Sequence, residues 1–277
     1  MADIYGSHFE YDGISSRKYD LVIANLNTHR LKQSCVNGDI ITKHNKLANK
    51  FVFIDEDTSD ARVSFDIEII SANGRCLERF ECREIEKWLF RFGGYRKLYF
   101  DMADDIFGTT YECLDGLVYR NYLNCRLINP EKLEYNGGVV GFKATLEADS
   151  NMFWQDSITK QYVINNQSES ASTDISIKID TDATGYVYPT VKIIMGHSGG
   201  DILICNNTDD SSRLTEFVDV LSNATITMKG ELNYVSGQYY EKFSNRNFIR
   251  LLDGENILTI RGNVAEIEIE YSARRMM

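Results

Sequence analysis

Apolar and polar residues alternate with a period of two in several stretches of this 277-residue chain, and no other feature limits its possible folds as sharply. Successive side chains of a strand point to opposite faces, so such runs describe strands with one buried face. Val63, Phe65, Ile67 and Ile69 share one side, and Ile175, Ile177 and Ile179 share another, opposite Asp174, Ser176 and Lys178. Near the end, Ala265, Ile267, Ile269 and Tyr271 alternate with Glu266, Glu268 and Glu270, whose carboxylates are expected to face solvent or a neighbour. Turn pairs at Asp12-Gly13, Asn37-Gly38, Asn73-Gly74, Asp115-Gly116, Asn136-Gly137 and Asp253-Gly254 separate short runs. Antiparallel sheets joined by hairpins follow from that punctuation, and the fold class is mainly β.

One segment departs from the rhythm. In residues 79–93 the apolar Ile85, Trp88, Leu89 and Phe92 fall at i, i+3, i+4 and i+7, which predicts an amphipathic helix ended by Gly93-Gly94. Residues 1–150 therefore read as an α+β front domain, a sheet or barrel carrying one helix. After Trp154 the alternation fades into Asn, Gln, Ser and Thr, which predicts a linker over 151–173. Seven strand runs are expected beyond it, at 174–179, 186–195, 201–206, 224–229, 231–236, 246–252 and 256–271, the last broken near Gly262. A β-sandwich over 174–277 accommodates them. No internal repeat is apparent.

Composition narrows the function. The net charge of −11 divides evenly, −5 over residues 1–150 and −6 over 151–277, so neither half offers the cationic stripe that tight nucleic-acid binding requires. No run reaches the ~20 apolar residues that span a bilayer, and the start lacks a basic, apolar leader, so synthesis in a cytoplasm is expected and no membrane partner. The six cysteines, at 35, 76, 82, 113, 125 and 205, lack metal-site spacing and read as reduced, half-buried apolar residues.

Several constellations invite a chemical reading. Asp180, Asp182 and Gly185 copy positions 1, 3 and 6 of a calcium loop, but Val191 stands where the bidentate acid belongs, which favours an ordinary turn. The acid clusters Asp55-Glu56-Asp57 with Asp60, and Asp104-Asp105, place neighbouring carboxylates on diverging sides rather than across a sugar site. None of His8, His29, His44 and His197 sits in a nucleophile signature, and Gly196-His197-Ser198-Gly199-Gly200 reads as a hairpin connection. No catalytic residue, cofactor site or metal site is therefore assigned. Tyr186, Tyr188, Tyr234, Tyr239 and Tyr240 suit either core packing, the favoured reading, or stacking on a sugar or partner.

The order of short phrases along the chain resembles one family, the distal tail proteins of long, non-contractile-tailed bacteriophages. Phe9-Glu10-Tyr11-Asp12-Gly13-Ile14-Ser15-Ser16 followed by Tyr19 to Ile23 looks like the family's opening. The helix around Trp88 and Lys97-Leu98-Tyr99-Phe100-Asp101 look like its front domain, and Phe142 to Asp149 followed by Phe153-Trp154 like its exit strand. Tyr188-Pro189-Thr190-Val191-Lys192-Ile193, Asn206-Asn207-Thr208 and Leu252 to Ile260 are similar to phrases of its second domain.

The resemblance implies a homo-oligomeric ring of six, or a double ring in isolation, built by the front domains, with galectin-like sandwiches projecting outward. It implies a structural hub in the virion tail tip, assembled in the bacterial host cytoplasm. Its partners would be the major tail tube protein, the tape measure protein, a tail-tip spike or tail-associated lysin, and a receptor-binding protein. Two other classes compete. A carbohydrate-binding module would grip cell-wall sugar through Tyr186, Tyr234, Tyr239 or Tyr240, and a wall-degrading enzyme would need a carboxylate pair or a histidine signature.

Overall fold

A computed structural model describes residues 8–24, 39–45, 50–57, 62–100, 111–114 and 117–275. The chain divides into two compact units, residues 1–155 with the C-terminal 275–277, and residues 156–274.

The first unit is one antiparallel sheet with a helix on its core face. Its strands are β1 (Phe9–Tyr11), β2 (Ile14–Ser15), β3 (Leu21–Ile23), a separate hairpin of β4 (Asp39–Asn45) and β5 (Lys50–Asp57), β6 (Ser64–Ser71), β7 (Arg96–Phe100), β8 (Tyr111–Leu114), β9 (Leu117–Tyr135), β10 (Gly138–Ala148) and β11 (Phe153–Gln155). They are ordered β2-β1-β7-β9-β10-β6-β3, with β8 and β11 also paired to β9 and β4-β5 forming its own ladder. Two expected turns close two-residue hairpins: Asp12 and Gly13 join β1 to β2, and Asn136 and Gly137 join β9 to β10, all four with positive φ. That is the backbone a type I′ turn demands, and Asp-Gly and Asn-Gly adopt it at least cost. The turns expected at Asn37-Gly38 and Asp115-Gly116 lie outside the described residues.

Helix α1 (Arg79–Leu89) supplies the core's aromatic centre. Its N-terminus is tied by the Glu81 carboxylate, which accepts the backbone N–H of Glu78 and the two-nitrogen fork of Arg75 at 2.8 and 2.7 Å. Those donors hold the Glu81 carboxyl down at about 2, the Arg75 hydrogen bond contributing most. Ile85, Trp88 and Leu89 are buried as expected. Phe92 is not: the helix stops at Leu89, so the helical period no longer governs position 92 and its ring is 99% exposed. The Trp88 ring stacks on Phe9 at 5.8 Å and tilts against Tyr19 at 5.5 Å, and its Nε1 donates to the Tyr11 carbonyl at 2.8 Å. Helix and first strand are thereby locked to one another.

The second unit is a sandwich. One sheet is ordered β12 (Ile158–Val163), β20 (Val264–Tyr271), β14 (Thr190–Met195), β17 (Thr225–Lys229), β18 (Tyr234–Val235); the other runs β13 (Ser172–Ile179), β19 (Gly254–Arg261), β15 (Gly200–Asn206), β16 (Leu214–Val220). The inward residues Ile177, Val191, Ile193, Ile204, Ile226, Leu258, Ile260, Ile267 and Ile269 are at most 1% exposed, so period-two alternation and burial coincide.

Within the expected 151–173 linker, β11, β12 and the start of β13 occupy 11 of the 23 positions. β12 is a sheet edge whose Thr159, Gln161 and Val163 are exposed, with Lys160 only half-buried between them, so its sequence is too polar to advertise a strand. Residues 196–199 are not a hairpin connection either, since β14 and β15 belong to different sheets. The chain changes sheet there and again at Gly262, and a glycine is closely approached at each crossing. A Cβ on Gly196 would stand 2.0 Å from Asn263 Oδ1, and one on Gly262, whose φ is +116°, 2.3 Å from the Asp201 carbonyl oxygen. Of the runs expected at 231–236 and 246–252, only Tyr234–Val235 is a strand, and the second contributes a single bridge from Leu251 to Val187.

Candidate functional site

Among the described residues, those singled out for chemistry do not assemble into a reaction centre. His8 Nδ1 lies 3.0 Å from the Leu21 carbonyl oxygen and 3.4 Å from Ser16 Oγ, a structural position under β1, whereas His197 is exposed at the sheet crossing. Thr181, between Asp180 and Asp182, is buried: its N–H donates to Asp253 and its hydroxyl to the Arg274 carbonyl. The turn there is thus held by protein partners, and among the described residues no three His, Cys, Asp or Glu side chains converge as a metal set. The Asp55-Glu56-Asp57 backbone lies in β5, while Asp60, Asp104, Asp105 and His29 fall outside the described residues. Burial raises the thiol pKa of Cys82, Cys125 and Cys205, which disfavours the nucleophilic thiolate.

The structure organises charge and aromatic surface instead. In the first unit Leu98 and Phe100 enter the core, so Lys97 and Tyr99 lie on the other side of β7. There the Arg120 guanidinium sits 3.8 Å over the Tyr99 ring, Tyr99 meets Tyr122 at 5.3 Å, and Lys97 Nζ lies 4.0 Å over Tyr122. Glu10 pairs with Arg120 at 3.1 Å. Nearby, Asp12 at the β1-β2 turn bridges Arg91 and Arg96. Glu10 and Asp12 thus offset part of the charge of Arg120, Arg91 and Arg96, while Arg120 and Lys97 also lie over aromatic rings.

In the second unit the tyrosines expected in the core lie outside it: Tyr188 and Tyr239 are half-buried, and Tyr186, Tyr234 and Tyr240 are more than 40% exposed. Tyr186 and Tyr188 precede β14 at one end of the sandwich, on either side of Val187, which is buried and bridges Leu251. Arg250 reaches this end from the segment before β19, lies 3.8 Å over the Tyr186 ring, and is gripped by Asp209 through two nitrogens at 2.6 and 3.2 Å. Nothing in the sequence pairs Asp209 with Arg250, which stand 41 positions apart, so this cluster was not legible there.

These features define a β-rich, two-unit protein. Residues 4–150 match the family described as phage tail protein N-terminal domain, and residues 157–271 the one described as phage tail C-terminal domain. The chain belongs to this family of bacteriophage tail proteins. Among solved structures it is similar to the Dit (gp 19.1) protein of phage SPP1, presented as a paradigm of hub adsorption apparatus in Gram-positive infecting phages. That likeness has a TM-score of 0.66 at 10% identity and covers 98% of this chain and 100% of that one. It is also similar to a chain of the phage P2 baseplate in its activated conformation with Ca, with a TM-score of 0.53 at 8% identity over 97% and 98% of the two chains. At such identities the shared property is the fold. No curated protein sequence matches the chain.

Proposed function

We propose that this protein is the structural hub of a phage tail tip, non-enzymatic and made in the cytoplasm of the bacterial host. Six copies form a ring, or two rings back to back when other tail proteins are absent. The first unit makes the ring and meets the tail tube on one side and the tail-tip spike or tail-associated lysin on the other, with the tape measure protein ending at the same junction. The sandwich unit serves outer partners, including a receptor-binding protein. The observation that carries this reading is end-to-end correspondence with the hub fold in a chain of tail-protein family, both units included.

The physical chemistry agrees. A closed ring buries one heterologous patch per subunit and leaves no growing end. The first unit also keeps apolar rings at its surface, Phe80 72% and Phe92 99% exposed, which a subunit covered by neighbours would bury. Immunogold labelling of intact virions with antibodies to the purified protein tests the assignment. Label at the tail tip is expected, and label along the tube or on the capsid would overturn it.

A further inference from the structure

The end of the sandwich that holds Tyr186 has features that fold stability does not call for. The Asp209 side chain is 8% exposed and that of Arg250 21%, so two charges have been drawn out of water at the margin of a domain with an ample apolar core. A shielded ion pair rarely stabilises a fold more than apolar side chains of the same size would. What this pair does achieve is rigidity. The Asp209 carboxylate fixes the guanidinium plane, the guanidinium backs the Tyr186 ring, and Tyr188 stands edge-to-face against Tyr186 at 6.4 Å and 63°. Gly230 lets Tyr188 pack close to the backbone, because a Cβ there would lie 2.9 Å from the Tyr188 Cβ. Three chain segments thus converge to hold a tyrosine that still leaves 43% of its surface exposed.

We propose that the corner formed by Tyr186, Tyr188 and Arg250 is a binding site for an uncharged saccharide. Two amphipathic rings at a steep angle present an apolar surface for the C–H face of a pyranose and hydroxyls for its rim, with little conformational entropy left to lose on binding. The charge balance selects against an anion: Arg250 is neutralised by Asp209, and the neighbouring Asp210 carboxyl is held low by the Ser212 hydroxyl and N–H and so stays ionised. A phosphate or uronate would meet a cation already paired with Asp209, while the ionised Asp210 carboxylate, held by Ser212, offsets the nearby Arg213. The corner also suits a single sugar ring better than a protein partner, whose stable interface needs about 800 Å² from each side. The proposal stands apart from ring assembly, since the whole cluster lies within one sandwich unit.

Saturation-transfer NMR on the full-length protein tests it, with maltotriose, galactobiose and chitotriose as neutral probes and a glycerol phosphate trimer as the anionic one. Transfer to at least one neutral probe is expected, with affinity falling about tenfold in Tyr186→Ala and by less than about threefold in Tyr186→Phe. Unchanged circular dichroism guards against misfolding. Asp209→Asn leaves the guanidinium uncompensated and should move preference toward glycerol phosphate. Failure of every neutral probe, binding unaltered by Tyr186→Ala, or a wild-type preference for glycerol phosphate would overturn the proposal. So would an effect of Tyr186→Ala confined to self-association or to binding of another tail protein, which would assign the corner to a protein contact.

Discussion

Replacing Trp88 isolates what holds the first unit together. The side chain is 6% exposed, stacked on Phe9, tilted against Tyr19 and hydrogen-bonded through Nε1 to the Tyr11 carbonyl. Truncation of a buried tryptophan to alanine costs about 3–5 kcal/mol in lost transfer energy and residual cavity. Within that sum the unmade bond to Tyr11 accounts for about 1–3 kcal/mol, because a buried carbonyl is left without its donor. Trp88→Phe separates the two contributions: it keeps an aromatic ring on Phe9 and removes only the donor and some volume, so about 1–3 kcal/mol is expected. Against a total stability of about 5–15 kcal/mol, Trp88→Ala removes a large share. With a urea dependence near 2 kcal/mol per molar, the midpoint should fall by roughly 2 M for Trp88→Ala and by roughly 1 M for Trp88→Phe. Far-ultraviolet circular dichroism in urea reads both shifts. A Trp88→Ala midpoint within about 0.3 M of wild type would show that the helix does not anchor the sheet, refuting the packing argument.

Three further outcomes follow from the geometry. Glu81 has a carboxyl pKa lowered from 4.5 to about 2 in the folded state, so the stability it contributes is complete above pH 4.5 and is lost as pH falls toward 2; Glu81→Gln should flatten the acid limb of a pH-stability profile over that interval, and an unaltered limb would contradict the Arg75 contact. Gly262→Ala should lower the melting temperature of the sandwich by several degrees, since a side chain there needs a positive φ and collides with the Asp201 carbonyl; a melting temperature equal to wild type in calorimetry would contradict the close crossing. Of the four thiols with described side chains, exposed Cys76 should react with a disulfide reagent at least about tenfold faster than Cys82, Cys125 and Cys205, whose burial raises their pKa; equal rates measured on single-cysteine variants would refute that ordering.

Much of the scaffold could be read from residue order because burial imposes period two wherever one face of a strand meets a core. β6, β13, β19 and β20 follow that rule almost without exception. β16 was missed for a physical reason: Asp219 takes a left-handed conformation, φ +53°, so the buried positions run Thr215, Phe217, Val220 and the alternation slips by one. The segment 246–252 misled in the opposite sense, since Phe248 and Ile249 are both buried, which an extended strand with one inner face does not permit. The aromatic corner was only half legible. Tyr186 and Tyr188 stand out as a cluster, but Arg250 and Asp209 join them solely through folding, and it is their ion pair that makes the corner rigid.

The central claim, a ring-forming tail hub, is tested most directly by the mass and symmetry of the purified protein. Light scattering with negative-stain microscopy should show particles of about 190 kDa, six copies of the 31.7 kDa chain, or twice that for paired rings, with sixfold averages in projection. A particle that stays at 31.7 kDa at every concentration, and shows no ring even with its tube partner present, would contradict the account.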